Sequence, residues 1–234
     1  MNMPDMTNMT DMTDMADTDE DAAPDAPEPC DECGHAPHSK AAERALAQRE
    51  RILIAAKACF IRHGFHAASM AIIAGAAAMS PGLIYRYFPS KSAIILAIIE
   101  GQLEEARAGI RTLYGAADFA DAAFQTFTHW RNADPQVMNA ALLLEISAEA
   151  TRDPALSAAV QASDVAVREE LSHWLSASLA DGGKGLAPEV APQRALSLQL
   201  FMEGIAIRAL REPDIDPATL KAAIDHFVAD LFAA

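Results

Sequence analysis

Apolar side chains recur every three or four positions along most of this chain, which is the spacing of an amphipathic helix. The first such stretch begins near Ala41 and ends near His63, where Gly64 supplies a stop signal. Two short apolar runs follow, and each opens with a serine that can cap a helix, Ser69 and Ser80. No alternating strand pattern interrupts the series. The pattern predicts an all-α protein.

Acidic residues followed by proline mark several of the later helix starts. A fourth helix is expected to follow the two short runs and to end near Leu113. Beyond it the predicted helices cover residues 118–132, 135–151, 154–181, 188–211 and 217–232. Together these segments predict a C-terminal helical bundle that is larger than the N-terminal group of three helices.

Charge is distributed unevenly along the chain, whose formal net charge is −15. Residues 1–39 contain 11 Asp or Glu and no Lys or Arg, and residues 40–91 contain eight Lys or Arg against two Glu. A positive segment in an acidic chain is the local pattern that a DNA-binding surface needs. We therefore predict a disordered, acidic, Met-rich tail over 1–39, a DNA-binding head over 40–91 and an acidic bundle over 92–234.

The segment Ser69–Lys91, SMAIIAGAAAMSPGLIYRYFPSK, has the helix–turn–helix order that places a second helix in a DNA major groove. Its details resemble the DNA-binding head of the TetR family of bacterial transcriptional regulators, and Arg51–Phe65 is similar to that family's first helix. The residues that carry the resemblance are Ile73, Ala74, Ala77, Ser80, Gly82, Tyr85, Tyr87, Phe88, Ser90 and Lys91. The resemblance implies a homodimeric, one-component repressor that leaves double-stranded operator DNA when a small-molecule effector binds.

The same resemblance implies which residues of the head contact DNA. Tyr85, Tyr87 and Lys91 are expected to reach phosphates, and Lys91 does so from the start of the next helix. The apolar start of the second motif helix suits contacts with thymine methyl groups, and Arg86 is the nearest polar candidate. The complete predicted set is Ser69, Ser80, Pro81, Gly82, Leu83, Tyr85, Arg86, Tyr87 and Lys91.

Four positions depart from the usual pattern of the family. Ala71, Ile72 and Gly75 stand where members usually have polar residues, and Ala78 stands where they have a turn glycine. These changes are expected to weaken contacts with the DNA backbone. They leave open the alternative that the chain is a helical interaction module that has lost DNA binding.

The last two predicted helices are unusually apolar, and the resemblance implies that they pair with their copies in a dimer. The residues expected in that interface are Leu198, Phe201, Ile205, Leu220, Ile224, Phe227 and Leu231. A ligand pocket is implied by the resemblance alone, with candidates among the wide or polarisable side chains: Trp130, Met138, Leu142, Glu145, Trp174 and Phe201. The acidic bundle favours a neutral or cationic lipophilic effector over an anion.

A compact C-x2-C-x-H-x2-H group in the tail consists of Cys30, Cys33, His35 and His38. Thiolates and imidazoles can bind zinc or copper(I), so a metal-responsive regulator is a further alternative, although no apolar sequence surrounds the group to fold around a metal. Motifs of known catalytic or nucleotide-binding chemistry are missing, so neither an enzyme nor a cofactor is expected. Because the sequence lacks a long apolar span and a basic signal peptide, we expect a cytoplasmic protein that does not enter a membrane.

Overall fold

The computed structural model describes residues 37–114, 118–132 and 139–233, and it describes side chains from Lys40 onward. Within these ranges the regular structure is helical and contains no β-strand, which confirms the all-α prediction. A short 3-10 helix, Leu179–Asp181, lies between the seventh and eighth α-helices. The α-helices in chain order are α1 Pro37–Ala67, α2 Met70–Ala76, α3 Pro81–Tyr87, α4 Lys91–Leu113, α5 Phe119–Arg131, α6 Ala140–Ala150, α7 Pro154–Ser176, α8 Ala191–Arg211 and α9 Pro217–Phe232.

Short polar side chains set the start of most helices, because their oxygens accept hydrogen bonds from otherwise unpaired backbone N–H groups. Ser69 Oγ accepts from the N–H of Ile72 at 3.2 Å, and Ser80 Oγ accepts from that of Leu83 at 3.3 Å. The later helices α5, α6, α7 and α9 are capped in the same way by Asp118, Asn139, Asp153 and Asp216. Two helices begin later than predicted: α6 begins at Ala140 and not at residue 135, and α8 begins at Ala191 and not at residue 188, without a side-chain cap.

One helix end differs from the prediction. The regular turns of α1 end at His63 as predicted, because Gly64 has a φ of 74° and a ψ of 161° that are not helical, and one further turn to Ala67 follows the bend. The predicted helix over 154–181 stops at Ser176 because Ala177 is extended. The loop beyond passes close to the end of α4: a Cβ at Gly182 would lie 1.9 Å from the carbonyl oxygen of Tyr114.

Two clusters of buried side chains hold the helices together, and α4 contributes to both. The head cluster joins α1, α2 and α3 to the first half of α4, and it also contains Leu142 and Ile146 from α6. The bundle cluster includes the buried Phe127, Trp174 and Leu198 and draws on α5, α7, α8 and α9 as well as the second half of α4. The predicted domain boundary at residue 91 thus falls at the start of a shared helix.

Among the described residues, no single helix is long and apolar enough to cross a bilayer. Helices α3 and α4 meet that criterion only when taken together, across a bend of 52°. The isoleucines of α4 that contribute most to this hydropathy, among them Ile94, Ile95 and Ile98, are buried in the head cluster.

Candidate DNA-binding head and ligand cavity

Helix α3 is held to the head by one face and exposes the other. Ile84 and the following Phe88 are buried in the head cluster, whereas Tyr85 is 54% exposed and Arg86 lies beside it in solvent. Of the other predicted contact residues, Leu83 and Tyr87 are half-buried and the remaining four of the motif are exposed: Ser69, Ser80, Pro81 and Gly82. The start of α3 and its outer face are therefore free to meet a groove.

Two arginines of α1 hold the motif in place. Arg49 donates to the carbonyl oxygen of Tyr87 at 3.0 Å, and its guanidinium lies 4.3 Å from the ring centroid of Phe88. Arg51 donates to the carbonyl oxygen of Ala78 at 3.0 Å. The sequence identifies these arginines only as part of the positive charge of the head. Their acceptors are backbone carbonyls distant in the chain, and no local pattern signals such contacts.

The turn between α2 and α3 contains a backbone conformation that favours glycine. Ala78 has a φ of 49°, and a left-handed conformation costs about 1–2 kcal/mol at a residue that has a Cβ. The N–H of Met79 donates to the carbonyl of Ala74 at 2.9 Å, which closes the turn. A glycine at this position would adopt the same conformation without strain, and the contact from Arg51 helps to hold Ala78 in it.

Lys91 does not extend towards solvent as predicted for a phosphate contact. Its Nζ donates to the carbonyl oxygen of Phe65 at 2.7 Å and lies 3.4 Å from that of His66. The ammonium also lies 4.3 Å from the centroid of the Phe65 ring. Tertiary packing thus provides this lysine with carbonyl acceptors at the end of α1, and its contact with phosphate stays a prediction.

A cavity of about 630 Å³, partly open to solvent, lies between α4, α5, α6, α7 and α8. Its wall is mostly apolar, with Phe119, Trp130 and Met202 among the larger side chains. The polar groups in the wall come from all five helices and include Gln102, Glu105, Thr126, Ser147, Asp164, Gln199 and Glu203. A cavity of this size and composition suits a small organic ligand.

Two carboxyl groups of the cavity have raised pKa values. Burial raises the pKa of Asp164, while the nearby Arg168 charge and a hydrogen bond from Gln199 partly oppose that rise. Burial and the charge of Asp164 both raise the pKa of Glu203. Because these carboxyls lie close together in an apolar wall, a cation placed between them would relieve their mutual repulsion.

The cavity also contains two buried hydrogen-bond donors. Gln102 Nε2 and Trp130 Nε1 have no hydrogen-bond partner among the described residues, and both side chains line the cavity. Leaving a buried donor unpaired costs about 1–3 kcal/mol. A ligand with an acceptor oxygen would remove that cost.

Of the six predicted pocket residues, the structure places only Trp130 in the cavity wall, while Met138 lies outside the described residues. Trp174 is fully buried in the bundle cluster, and Phe201 stacks on Phe227 with ring centroids 3.9 Å apart. Leu142 belongs to the head cluster, and Glu145 contacts the end of α1. The prediction is corrected for these four, because tertiary packing turns each of them away from the cavity.

Most of the predicted dimer residues are already buried within one protomer. Their side chains fill the bundle cluster and are at most 8% exposed, which leaves no surface for a partner: Leu198, Ile205, Leu220, Ile224 and Leu231. Phe201 and Phe227 remain half-buried. The exposed apolar residues of α8 lie on its opposite face, namely Leu196, Leu200 and Leu210. The apolar stripe read from the sequence is therefore the protomer's own core.

The tail residues Cys30, Cys33, His35 and His38 lie outside the side chains that the structure describes. Within the described part of the chain, no group of three or more His, Cys, Asp or Glu side chains is arranged to hold a metal ion.

The capped helix–turn–helix exposes its second helix and is followed by a helical bundle that contains a cavity. This arrangement defines a helix–turn–helix protein with a helical C-terminal domain. Residues 52–98 match the sequence model of bacterial regulatory proteins of the tetR family. Residues 125–233 match that of the C-terminal domain of BetI-type transcriptional repressors. The chain belongs to the TetR family, as its motif predicted.

Individual relatives agree with this assignment. The HTH-type transcriptional regulator UidR of Escherichia coli K12 is 36% identical over 121 residues, which are 52% of this chain and 61% of UidR. The match thus spans about three-fifths of that relative. Salmonella enterica GusR superposes with a TM-score of 0.58 at 28% identity, over 79% of this chain and 96% of GusR. A regulator from Pseudomonas aeruginosa PAO1 gives 0.62 at 22% identity, over 80% of this chain and 90% of that one, which shows a shared fold.

Proposed function

We propose that this protein is a one-component transcriptional repressor that binds operator DNA as a homodimer and is released by a small molecule. The observation that carries the proposal is the arrangement of α3. Its inner face is fixed by Ile84 and Phe88, and its outer face exposes Tyr85 and Arg86. A rigidly held helix with a positive, solvent-facing side is what major-groove binding requires.

We propose the individual DNA contacts from the solvent exposure of the side chains in the motif. Pro81 and Leu83 lie at the start of α3, where apolar groups can meet thymine methyls. Tyr85 and Arg86 are placed to contact phosphates or base edges farther along the helix. Ser69 and Ser80 already cap their helices, so a phosphate contact would be an additional role for each hydroxyl.

A homodimer is supported by the outer face of α8. Leu196, Leu200 and Leu210 are exposed by 42%, 60% and 39% along one side of that helix. A second copy related by two-fold symmetry would cover this face and place two heads on successive half-sites, about 34–36 Å apart. We propose that this stripe, with the edge of the Phe201–Phe227 stack, forms the dimer contact.

For the effector we propose a neutral or cationic amphipathic molecule. The apolar wall would bury its hydrocarbon part, and Asp164 with Glu203 would accept a positive or hydrogen-bond-donating group. The unpaired donors of Gln102 and Trp130 favour a second, oxygen-containing group on the same molecule. Release of DNA requires that this molecule bind the two conformations of the dimer with different affinities.

The proposal is tested by measuring binding of the full chain to fluorescent duplexes that tile the region upstream of its own gene. We expect one or a few duplexes to bind far more tightly than the rest. Tyr85→Ala should weaken that binding about tenfold, as expected for the loss of one specific contact, whereas Leu179→Ala on the exposed loop should not. Equal binding to every duplex, or none, would contradict the proposal.

A further inference from the structure

The end of α1 forms a sharp corner at Gly64, Phe65 and His66, called here the α1 corner. Gly64 has a φ of 74°, which turns the chain and leaves the N–H of Phe65 pointing out of the helix. That N–H donates to Oε2 of Glu145 on α6 at 3.0 Å. The same oxygen would lie 3.5 Å from a Cβ added at Gly64, so the carboxylate sits directly against the bend.

The opposite side of the α1 corner is held by a cation. Lys91 donates to the carbonyl oxygen of Phe65 and lies over the ring of the same residue. The peptide groups on both sides of Phe65 are therefore paired with full charges, one from α6 and one from α4. Hydrogen bonds to charged groups are stronger than neutral ones, so the corner is fixed more firmly than an ordinary helix end.

A second carboxylate of α6 reaches the same place. Glu149 follows Glu145 by one helical turn and is only 8% exposed. Its Oε2 lies 3.3 Å from Nε2 of His66 and 3.6 Å from Nη1 of Arg152. One face of α6 is thus aligned with the end of α1 over a full turn.

The neighbouring face of α6 forms part of the cavity wall. Leu143, Ile146 and Ser147 line the cavity, and Ile146 also packs in the head cluster. Helix α6 has only 11 residues, so a displacement on its cavity side is carried to Glu145 and Glu149. No other described element places carboxylates against the α1 corner while also lining the cavity.

We propose that Glu145 is a positioning residue that holds the α1 corner to α6, with Glu149 as its support, so that occupation of the cavity shifts the end of α1 and with it the head. Lys91 belongs to this arrangement and not to the phosphate contacts. The DNA part of the proposal rests on the proposed function. The coupling between the cavity and the corner does not.

The first experiment compares Glu145→Ala with Glu145→Gln in the full chain. Hydrogen exchange over the peptide that contains Phe65 should be about tenfold to one hundredfold faster in the alanine variant, since a charged hydrogen bond is lost. The glutamine variant keeps an acceptor and should lie between the alanine variant and wild type. Affinity for the upstream duplex should fall about three- to tenfold in Glu145→Ala, because a loosened head must be re-ordered when DNA binds.

The second experiment tests coupling with a double-mutant cycle. Ser147→Phe adds bulk to the cavity side of α6 and should speed exchange at the α1 corner in the wild-type background. In the Glu145→Ala background, Ser147→Phe should cause little further increase in the exchange rate at the α1 corner. Gln125→Phe, on the exposed side of α5, is the matched control and should leave the corner unchanged.

The outcomes separate the two proposals. Additive effects in the cycle, or unchanged exchange in Glu145→Ala, would overturn the positioning role even if the wild-type chain binds DNA. A non-additive cycle in a chain that binds no duplex would support the coupling between the cavity and the corner, and it would contradict the proposed function as a DNA-binding regulator. If Glu145→Ala unfolds, the cycle is run with Glu145→Gln, whose smaller effect should still be non-additive.

Discussion

The head and the bundle are built from similar amphipathic helices, yet they hold their functional groups in different ways. In the head, the proposed contacts come from one short stretch of sequence, with α3 started by Ser80 and held by Ile84 and Phe88. In the bundle, the cavity is the space left between five helices, from Ile99 to Glu203. The comparison shows that an exposed binding surface can be encoded locally, whereas an internal cavity is a property of the whole packing.

The largest expected effects test whether the two regions fold as one. Phe88→Ala in the head and Trp174→Ala in the bundle should each cost about 3–5 kcal/mol, because both side chains are buried. Both tryptophans lie in the bundle, at positions 130 and 174, so the fluorescence of Phe88→Ala reports the bundle alone. We expect urea to unfold Phe88→Ala in one transition, seen equally by fluorescence and circular dichroism.

The matched control is Leu179→Ala, at a side chain that is 76% exposed, which should change stability by less than about 0.5 kcal/mol. Two separate transitions in Phe88→Ala, with the fluorescence change at the wild-type midpoint, would show that the head folds independently. The buried contacts that α4 and α6 make in both regions would then not be enough to make the head and the bundle unfold together.

The next effect concerns the outer face of α8. Leu200→Glu should weaken dimerisation by about 3 kcal/mol, because burying a leucine contributes about 1.5–3 kcal/mol and the interface contains it twice. Sedimentation equilibrium measures the change. Leu179→Glu introduces the same charge elsewhere and should leave the dimer intact. A dimer unaffected by Leu200→Glu would place the interface on another surface.

A smaller effect is expected at the cavity carboxyls. Because the pKa values of Asp164 and Glu203 are raised, these groups lose their protons at a higher pH than usual. Binding of hexyltrimethylammonium should therefore strengthen as the pH rises through the range in which these two carboxyls lose their protons, which lies above the ordinary range of Asp and Glu. Protonation of the raised groups is favoured in the folded state, so the empty protein should lose stability as pH rises through the same range.

The comparison for this prediction uses hexanol and hexanoate as neutral and anionic probes in a thermal-shift assay. Asp164→Asn should weaken binding of the cation about tenfold and leave hexanol unchanged. Equal stabilisation by hexanoate and by the ammonium probe would contradict the proposed charge preference.

The smallest effect belongs to the turn of the motif. Ala78→Gly should stabilise the chain by about 1 kcal/mol, since glycine accepts a positive φ without strain. Chemical denaturation measures the gain. Gly75→Ala, in the adjacent helix, is a useful companion because it should stabilise by a similar amount through helix propensity. A loss of stability in Ala78→Gly would mean that the turn is not strained.

The difference between the head and the bundle also explains which features could be predicted from the sequence and which could not. The caps at Ser69 and Ser80 were readable because donor and acceptor are three residues apart. The contact of Lys91 with the carbonyl of Phe65 was not readable, because the two residues become neighbours only through tertiary packing. Helix α8 is apolar on two opposite faces: Leu198 on one face is fully buried, and Leu200 on the other is 60% exposed. Helical spacing identifies an apolar stripe, but only the packing decides what covers it.

The measurement that tests the central claim most directly is the salt dependence of binding to the upstream duplex by wild type, Arg86→Ala and Arg208→Ala. Both substitutions remove one positive charge, but Arg86 is exposed on α3 and Arg208 pairs with Glu212 in the bundle. We expect Arg86→Ala to reduce the slope of log affinity against log salt by about 1 and Arg208→Ala to leave it unchanged. Equal slopes in all three proteins would contradict DNA binding through α3.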